Sequence, residues 1–315
     1  MNAINQPNNI SSINELASLS PQKLVELSEE NFKAQVESVA SKVSALPGRG
    51  LVMLAGPSSS GKTTTASLLS SCIQRSGRGA KVISLDDFYR NQDKKLYFED
   101  GTPDFETIES LDVDRIIECL SDITEKGECL LPRFSFLSRM REKEPVHFTL
   151  EKDEIVIVEG LHALNPVITG ALDKEKLTRL YVSVSSRVMD GEKVFLTKRD
   201  IRFIRRMVRD YLFRNSRVDY TFYLWNGVRK GEDRYLFPFS RFADIKIDSF
   251  HSYEMCVLKR TALSLLAHIK EDSPYFKTAQ SLCERLSQFV PLEESRIPES
   301  SLLREFVGQE ELHFE

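Results

Sequence analysis

The chain has 315 residues, 41% hydrophobic and 29% charged, a balance that suits a globular protein with a substantial core. Its formal net charge of −4 argues against a general nucleic-acid or acidic-membrane binder. No apolar run approaches the ~18 residues of a spanning helix, and the start, MNAINQPNNISSINE, has neither a basic end nor an apolar stretch of the targeting kind. The cysteines lack C-x-x-C spacing and the histidines lack H-x-x-x-H pairing, so reduced thiols in a cytoplasmic protein are expected, without structural zinc.

Residues 1 to about 22 are rich in Asn, Ser and Gln and are expected to be frayed. Pro21 to Leu46 carries Leu24, Val25, Leu27, Phe32, Val36, Val39 and Val43 at helical spacing, and Pro47-Gly48 ends it. Leu51 to Ala55 is a short buried strand, and Thr64 to Ile73 continues as a helix after a Gly/Ser loop. Lys81 to Leu85 predicts a second strand running into Asp86-Asp87-Phe88-Tyr89. Arg90 to Asp112 is turn-rich, Val113 to Leu120 predicts a helix, and Pro132 to Arg141 is irregular and basic. Three further strands are predicted: Ile155 to Val158, ending in Glu159-Gly160; Arg179 to Val184; and Asp244 to Ile247.

Strands alternating with helices argue for a parallel α/β sheet. A helix follows Ser252 towards Lys270, and the segments Phe276 to Val290 and Leu302 to Val307 are expected to dock on the domain or on another subunit. The expected organisation is an N-terminal helical extension over 1–48, a nucleotide-binding domain over 49–270 and a helical tail over 271–315.

Between the first strand and its helix, Gly56, Gly61, Lys62 and Thr63 fit G-x-x-x-x-G-K-[ST]. Backbone N–H groups of Gly56, Pro57-Ser58-Ser59-Ser60, Gly61, Lys62, Thr63 and Thr64 (Pro57 contributing only its turn) would wrap phosphates at a positive helix end. Lys62 would reach the β- and γ-phosphates and Thr63 would hold Mg²⁺, so a nucleoside triphosphate is the expected ligand. Asp86 falls at the carboxyl end of the second strand, where open parallel sheets place their ligands. A carboxylate there can take a proton from a substrate hydroxyl or join the Mg²⁺ shell. Glu159 follows four apolar residues and is expected near the metal. Arg202, Arg205, Arg206 and Arg209 recur at helical spacing, opposite Ile201, Ile204, Val208 and Tyr211. They suggest cations brought over a γ-phosphate by a lid.

In order, GPSSSGKTTTA, SLDDFY, TPDF, PRFSF, IVIVEGLHALNP and RFIRRMVRDYLFR resemble the uridine kinase branch of the phosphoribulokinase/uridine kinase family. GVRKGEDRYLFPF and SLLREFVG further resemble a bacterial-type subgroup of uridine kinase-like nucleoside kinases, and the likeness covers about residues 30 to 308. The resemblance implies a P-loop kinase with a five-stranded parallel sheet and an Arg-bearing lid. It implies that Asp86 meets the acceptor hydroxyl, Tyr89 the nucleoside and Asp104 the ribose hydroxyls. It also places Phe134 against the base and makes Arg202 and Arg205 lid residues. Two positions depart: Ser135 stands where the family has Asp, and Arg139 where uridine kinases have a His that reads a pyrimidine. Losing polar identities changes what such a site prefers.

Other readings are a GTPase, from the [NT]-K-x-D spacing of Thr197-Lys198-Arg199-Asp200, and a non-catalytic nucleotide-binding module. A third is a kinase of another acceptor, such as a sugar phosphate or pantothenate, with Arg139 meeting an anion.

Overall fold

The computed structural model describes residues 6–91, 97–101, 104, 106–135, 138 and 140–307. Helices α1 (Ile10–Leu19) and α2 (Pro21–Ser44) precede strand β1 (Gly50–Ala55), helix α3 (Lys62–Arg75), strand β2 (Ala80–Ser84) and helix α4 (Val113–Glu125). Strands β3 (Ile155–Glu159) and β4 (Leu177–Ser183) lead to the helix pair α5 (Lys198–Arg214) and α6 (Val218–Tyr235). Strand β5 (Ile245–Asp248) and helices α7 (Glu254–Leu266) and α8 (Phe276–Ser287) follow. The five strands form one parallel sheet in the order β5-β4-β1-β3-β2.

β1 lies at the centre because it is apolar on both faces, as a strand covered twice must be. All of its residues are buried. Val52 and Leu54 enter one core with α2, α3 and α7, while Leu51, Met53 and Ala55 enter a second core with α4. The alternation follows from the two-residue period of a strand. Each of the Val, Leu and Met side chains contributes about 1.5–3 kcal/mol on burial. The strand order turns about β1: β3 and β2 lie on one side, β4 and β5 on the other. In an open α/β sheet the crevice for a ligand opens at such a point, beyond the carboxyl ends of the strands.

Two local expectations are corrected. The first 22 residues are not all frayed. Asn9 caps α1, its side chain accepting from the Ser11 N–H at 3.1 Å, and Ile10, Ile13 and Ala17 are buried one above another. Gln6 ties the approach to this helix, donating to Phe250 O at 2.9 Å and accepting from Ser252 N–H at 3.2 Å. Asn here is a helix start rather than a sign of disorder.

The stretch Pro132 to Arg141 holds a short antiparallel pairing of Phe134–Ser135 with Met140–Arg141. Thr197 to Asp200 is a capping box opening α5: the Thr197 hydroxyl and the Asp200 N–H and carboxylate satisfy one another, and Asp200 also receives Arg285 at 2.8 Å. These contacts account for the spacing that resembled a guanine-reading motif. The segments after Lys270 pack on this chain's own core, where Leu282, Leu286, Leu302 and Phe306 are buried.

Candidate functional site

The turn from β1 into α3 depends on two glycines. A Cβ on Gly56 would stand 2.2 Å from the Val182 carbonyl oxygen, which only a missing side chain avoids. Gly61 has φ +82°, a left-handed conformation, and forms the N-cap of α3 without a side chain to satisfy the first N–H groups. Ser59 also takes positive φ, 57°, a cost that surrounding contacts must hold in place. The Ser59 and Ser60 hydroxyls are buried without a partner among the described residues. Lys62 is half-buried and its Nζ donates to Pro57 O at 3.4 Å, folding back over the loop; Thr63 is exposed at the start of α3. The result is a strand end, a concave loop and a helix N-terminus, which is an anion site by geometry and dipole.

β3 lies next to β1, with Glu159 opposite Leu54 and Ser84 in the two ladders. The Ser84 hydroxyl donates to Glu159 at 2.8 Å. Burial raises the Glu159 pKa, Lys62 opposes this and Asp86 adds to it, so the three groups share one neighbourhood. β2 stops at Ser84, and a 3-10 turn over Leu85–Phe88 carries Asp86, whose N–H is held by the Ser84 hydroxyl. Asp86 keeps a solvent-accessible edge, yet desolvation in the cleft raises its pKa, with Lys62 pulling it down and Asp87 up. Asp87 turns to the Phe134 backbone. Lys62, Asp86 and Glu159 thus bring one ammonium and two carboxylates to the same crevice mouth, and the Thr63 hydroxyl is exposed at the start of α3. Hard oxygen donors of this kind suit Mg²⁺ bound jointly with phosphate. Among the described residues no three His, Cys, Asp or Glu side chains make a metal cage by themselves.

On the far side of the crevice the rings of Tyr89 and Phe134 lie 5.5 Å apart at 45°. Arg141 fixes this corner, donating to the carbonyls of Tyr89 at 2.8 Å and Phe88 at 3.0 Å and to Asp112 at 2.9 Å. Asp104 is buried and accepts from the Tyr235 hydroxyl at 2.7 Å and the Glu106 N–H at 3.2 Å. Arg139 lies outside the described residues.

The arginines of α5 are not a solvated face. Arg202, Arg205 and Arg206 are buried, and each touches the loop. Arg202 Nε donates to Ser58 O at 2.8 Å, Arg205 to Ser59 O at 3.4 Å and Arg206 to the Ser58 hydroxyl at 2.7 Å. Arg202 pairs with the fully buried Glu232, and Arg205 grips Glu254 through both carboxylate oxygens. Arg209 bonds Asp210 at 3.1 Å.

Three acids were not singled out by motif. Glu232 and Glu305 sit in helical stretches whose sequences mark them only as polar. Glu106 follows Asp104 in a turn. Its carboxyl is pushed up to about 7 by burial and by Glu232, with Arg206 and Lys62 opposing. The aligned GVRKGEDRY and SLLREF segments were the signal available for the first two.

A cleft of about 800 Å³ adjoins this centre through Arg206 and is lined further out by Arg214, Arg217, Tyr220 and Tyr223.

Comparison with known proteins gives the family. The model of the "Phosphoribulokinase / Uridine kinase family" matches residues 51–255. Uridine kinase of Haemophilus influenzae strain PittGG is 26% identical over 201 residues, covering 62% of this chain and 85% of the relative. Uridine kinase of Schizosaccharomyces pombe is 30% identical over 168 residues, covering 52% of this chain and 32% of the relative. The solved D-glycerate 3-kinase of Cryptococcus neoformans var. grubii has TM-score 0.43 and 12% identity, over 65% of this chain and 87% of that one. A match that runs from β1 through the loop and both carboxylates to the start of α7 takes in more than half of the chain, and the chain belongs to the phosphoribulokinase/uridine kinase family.

Proposed function

We propose that this chain transfers the γ-phosphate of ATP to the 5′-hydroxyl of a ribonucleoside of the uridine or cytidine type. The observation that carries the reading is the shared crevice of Lys62, Asp86 and Glu159, with the Tyr89–Phe134 ring pair at its edge. Loop N–H groups and Lys62 would hold the phosphates. Mg²⁺, when bound by Thr63, Asp86 and Glu159, would neutralise charge on the phosphoryl oxygens. Asp86 accepts the proton of the acceptor hydroxyl. Its raised pKa makes it a stronger base than an ordinary carboxylate, and Lys62 favours its charged form. Tyr89 and Phe134 offer faces to a planar base and Asp104 offers lone pairs to ribose hydroxyls.

The experiment is kcat/KM with ATP and Mg²⁺ for uridine, cytidine, adenosine, inosine and ribulose 5-phosphate. Ribonucleosides should be preferred to the sugar phosphate and to 2′-deoxyribonucleosides, with modest pyrimidine selectivity. Use of the sugar phosphate alone would sink the nucleoside assignment.

One observation favours a second reading, a kinase of a smaller hydroxyl acceptor. Asp104 already accepts from Tyr235 and the Glu106 N–H, so fewer of its lone pairs face the crevice.

A further inference from the structure

The C-terminal stretch Leu302 to Val307 packs on the phosphate loop itself. Leu302 is wholly buried, and a Cβ on Gly61 would stand 2.3 Å from its Cδ1. The Phe306 ring lies 5.0 Å beneath the Arg205 guanidinium. Just before them the Ser301 hydroxyl donates to Glu29 at 2.6 Å, fixing the approach. Between these two apolar anchors stands a charged residue. Glu305 Oε2 accepts from the Thr64 hydroxyl at 2.8 Å, and its other oxygen lies 3.7 Å from Arg209.

A carboxylate in this place is stabilised by the N-terminal end of α3, whose cap Gly61 supplies no side chain. The same helix end is where phosphate belongs. Lys62 reaches the terminal phosphates, so the phosphate nearer the nucleoside meets the following residues, Thr63 and Thr64. Two anions cannot share that end at contact distance without strong repulsion.

We propose that Glu305 is an internal stand-in for the donor's phosphate: it holds the start of α3 in the free chain, and nucleotide must displace it. Arg209 is placed to receive the released carboxylate, and the segment around Glu305 loosens as the contact with Thr64 breaks. Nucleotide affinity and docking of the C-terminal segment are then coupled, and each weakens the other. The proposal rests on the reading that nucleotide phosphates bind this loop.

The test is the dissociation constant of ADP with Mg²⁺, by calorimetry, for wild type, Glu305→Gln and Glu305→Ala. Removing the competing charge should tighten ADP about tenfold in both variants. Unchanged or weaker binding by variants that stay folded would overturn the proposal while leaving the loop reading in place. A second measurement needs no variant. The amides of Glu305, Phe306 and Val307 donate to Leu302 O at 3.2 Å, Leu303 O at 2.9 Å and Leu303 O at 3.2 Å. ADP should speed their hydrogen exchange in wild type, and unchanged or slowed exchange counts against the idea. A wild type that binds no ADP overturns both this proposal and the reading beneath it.

Discussion

The Glu232 carboxylate accepts the backbone N–H of Ser58 at 2.8 Å, inside the phosphate loop. The same oxygen takes Arg202, which also donates to Ser58 O at 2.8 Å. One loop residue is therefore held by its N–H and its carbonyl, from α6 and α5 respectively. Glu232 has no exposed surface and Arg202 only 2%. Removing one partner of such a pair leaves a buried charge without compensation. Glu232→Ala should cost about 3–5 kcal/mol in urea unfolding. Adding Arg202→Met should cost less than the sum of the two single changes. A loss under about 1 kcal/mol for Glu232→Ala would mean the loop is held elsewhere.

Lys62 is the loop's cation, half-buried and folded back on Pro57 O at 3.4 Å. Its side chain faces the crevice rather than either core, so Lys62→Ala should leave the fold intact. Without a fixed charge at the β- and γ-phosphates, kcat/KM should fall at least about a hundredfold, or about 2.7 kcal/mol. Near-normal turnover would remove the support for phosphoryl transfer at this loop.

Asp86 and Glu159 are neighbours with different surroundings. Asp86 sits on an open turn beside Lys62, and Glu159 is buried under the Ser84 hydroxyl. Asp86→Asn should abolish transfer while ATP still binds; Glu159→Gln should raise the Mg²⁺ requirement. Because burial lifts Asp86 above its ordinary 3.8, activity should fall on acidification at a pH above that value, as the base protonates. Equal loss of MgATP affinity in both variants, with unchanged single-turnover rates, would show the roles wrongly divided.

The loop, the strand count and the two carboxylates were legible because each is local. Gly56, Gly61 and Lys62 are fixed by spacing, and Glu159 follows four apolar residues in a row. The arginines were legible as a stripe but not in their use. That Arg205 would be fully buried against Glu254 depends on a residue 49 positions away, with no spacing rule to connect them. Glu305 on Thr64 spans 241 positions, and the packing of Leu302 on Gly61 and of Phe306 on Arg205 brings it there. At the N-terminus the Asn- and Ser-rich stretch was misread as frayed because such residues signal a loop or a cap equally well, and the burial of Ile10, Ile13 and Ala17 decides between them.

Glu106 gives a pH dependence whose sign follows from its surroundings. Burial and the charge of Glu232 raise its carboxyl from 4.5 to about 7, against the pull of Arg206 and Lys62, and Asp86 adds to the rise. Below about 4.5 the group is protonated in both folded and unfolded chains and costs nothing. Between about 4.5 and 7 the unfolded chain ionises while the folded one resists, so folding stability is lost as pH rises through that window. Above about 7 both forms are ionised and the full penalty, up to about 3 kcal/mol, stands. Glu106→Gln keeps the shape without the charge. Its stability relative to wild type, by urea unfolding, should therefore rise between pH 5 and pH 8 by an amount of that order. His162, whose Nε2 lies 2.9 Å from the Glu106 carbonyl, is held down from 6.5 to about 4 by burial, so it adds its own opposite pH dependence between those values; wild type and Glu106→Gln share it, and it cancels in their difference. A stability difference that is the same at both pH values would show that Glu106 ionises freely in the folded chain, and would remove it from the group of charges facing Lys62.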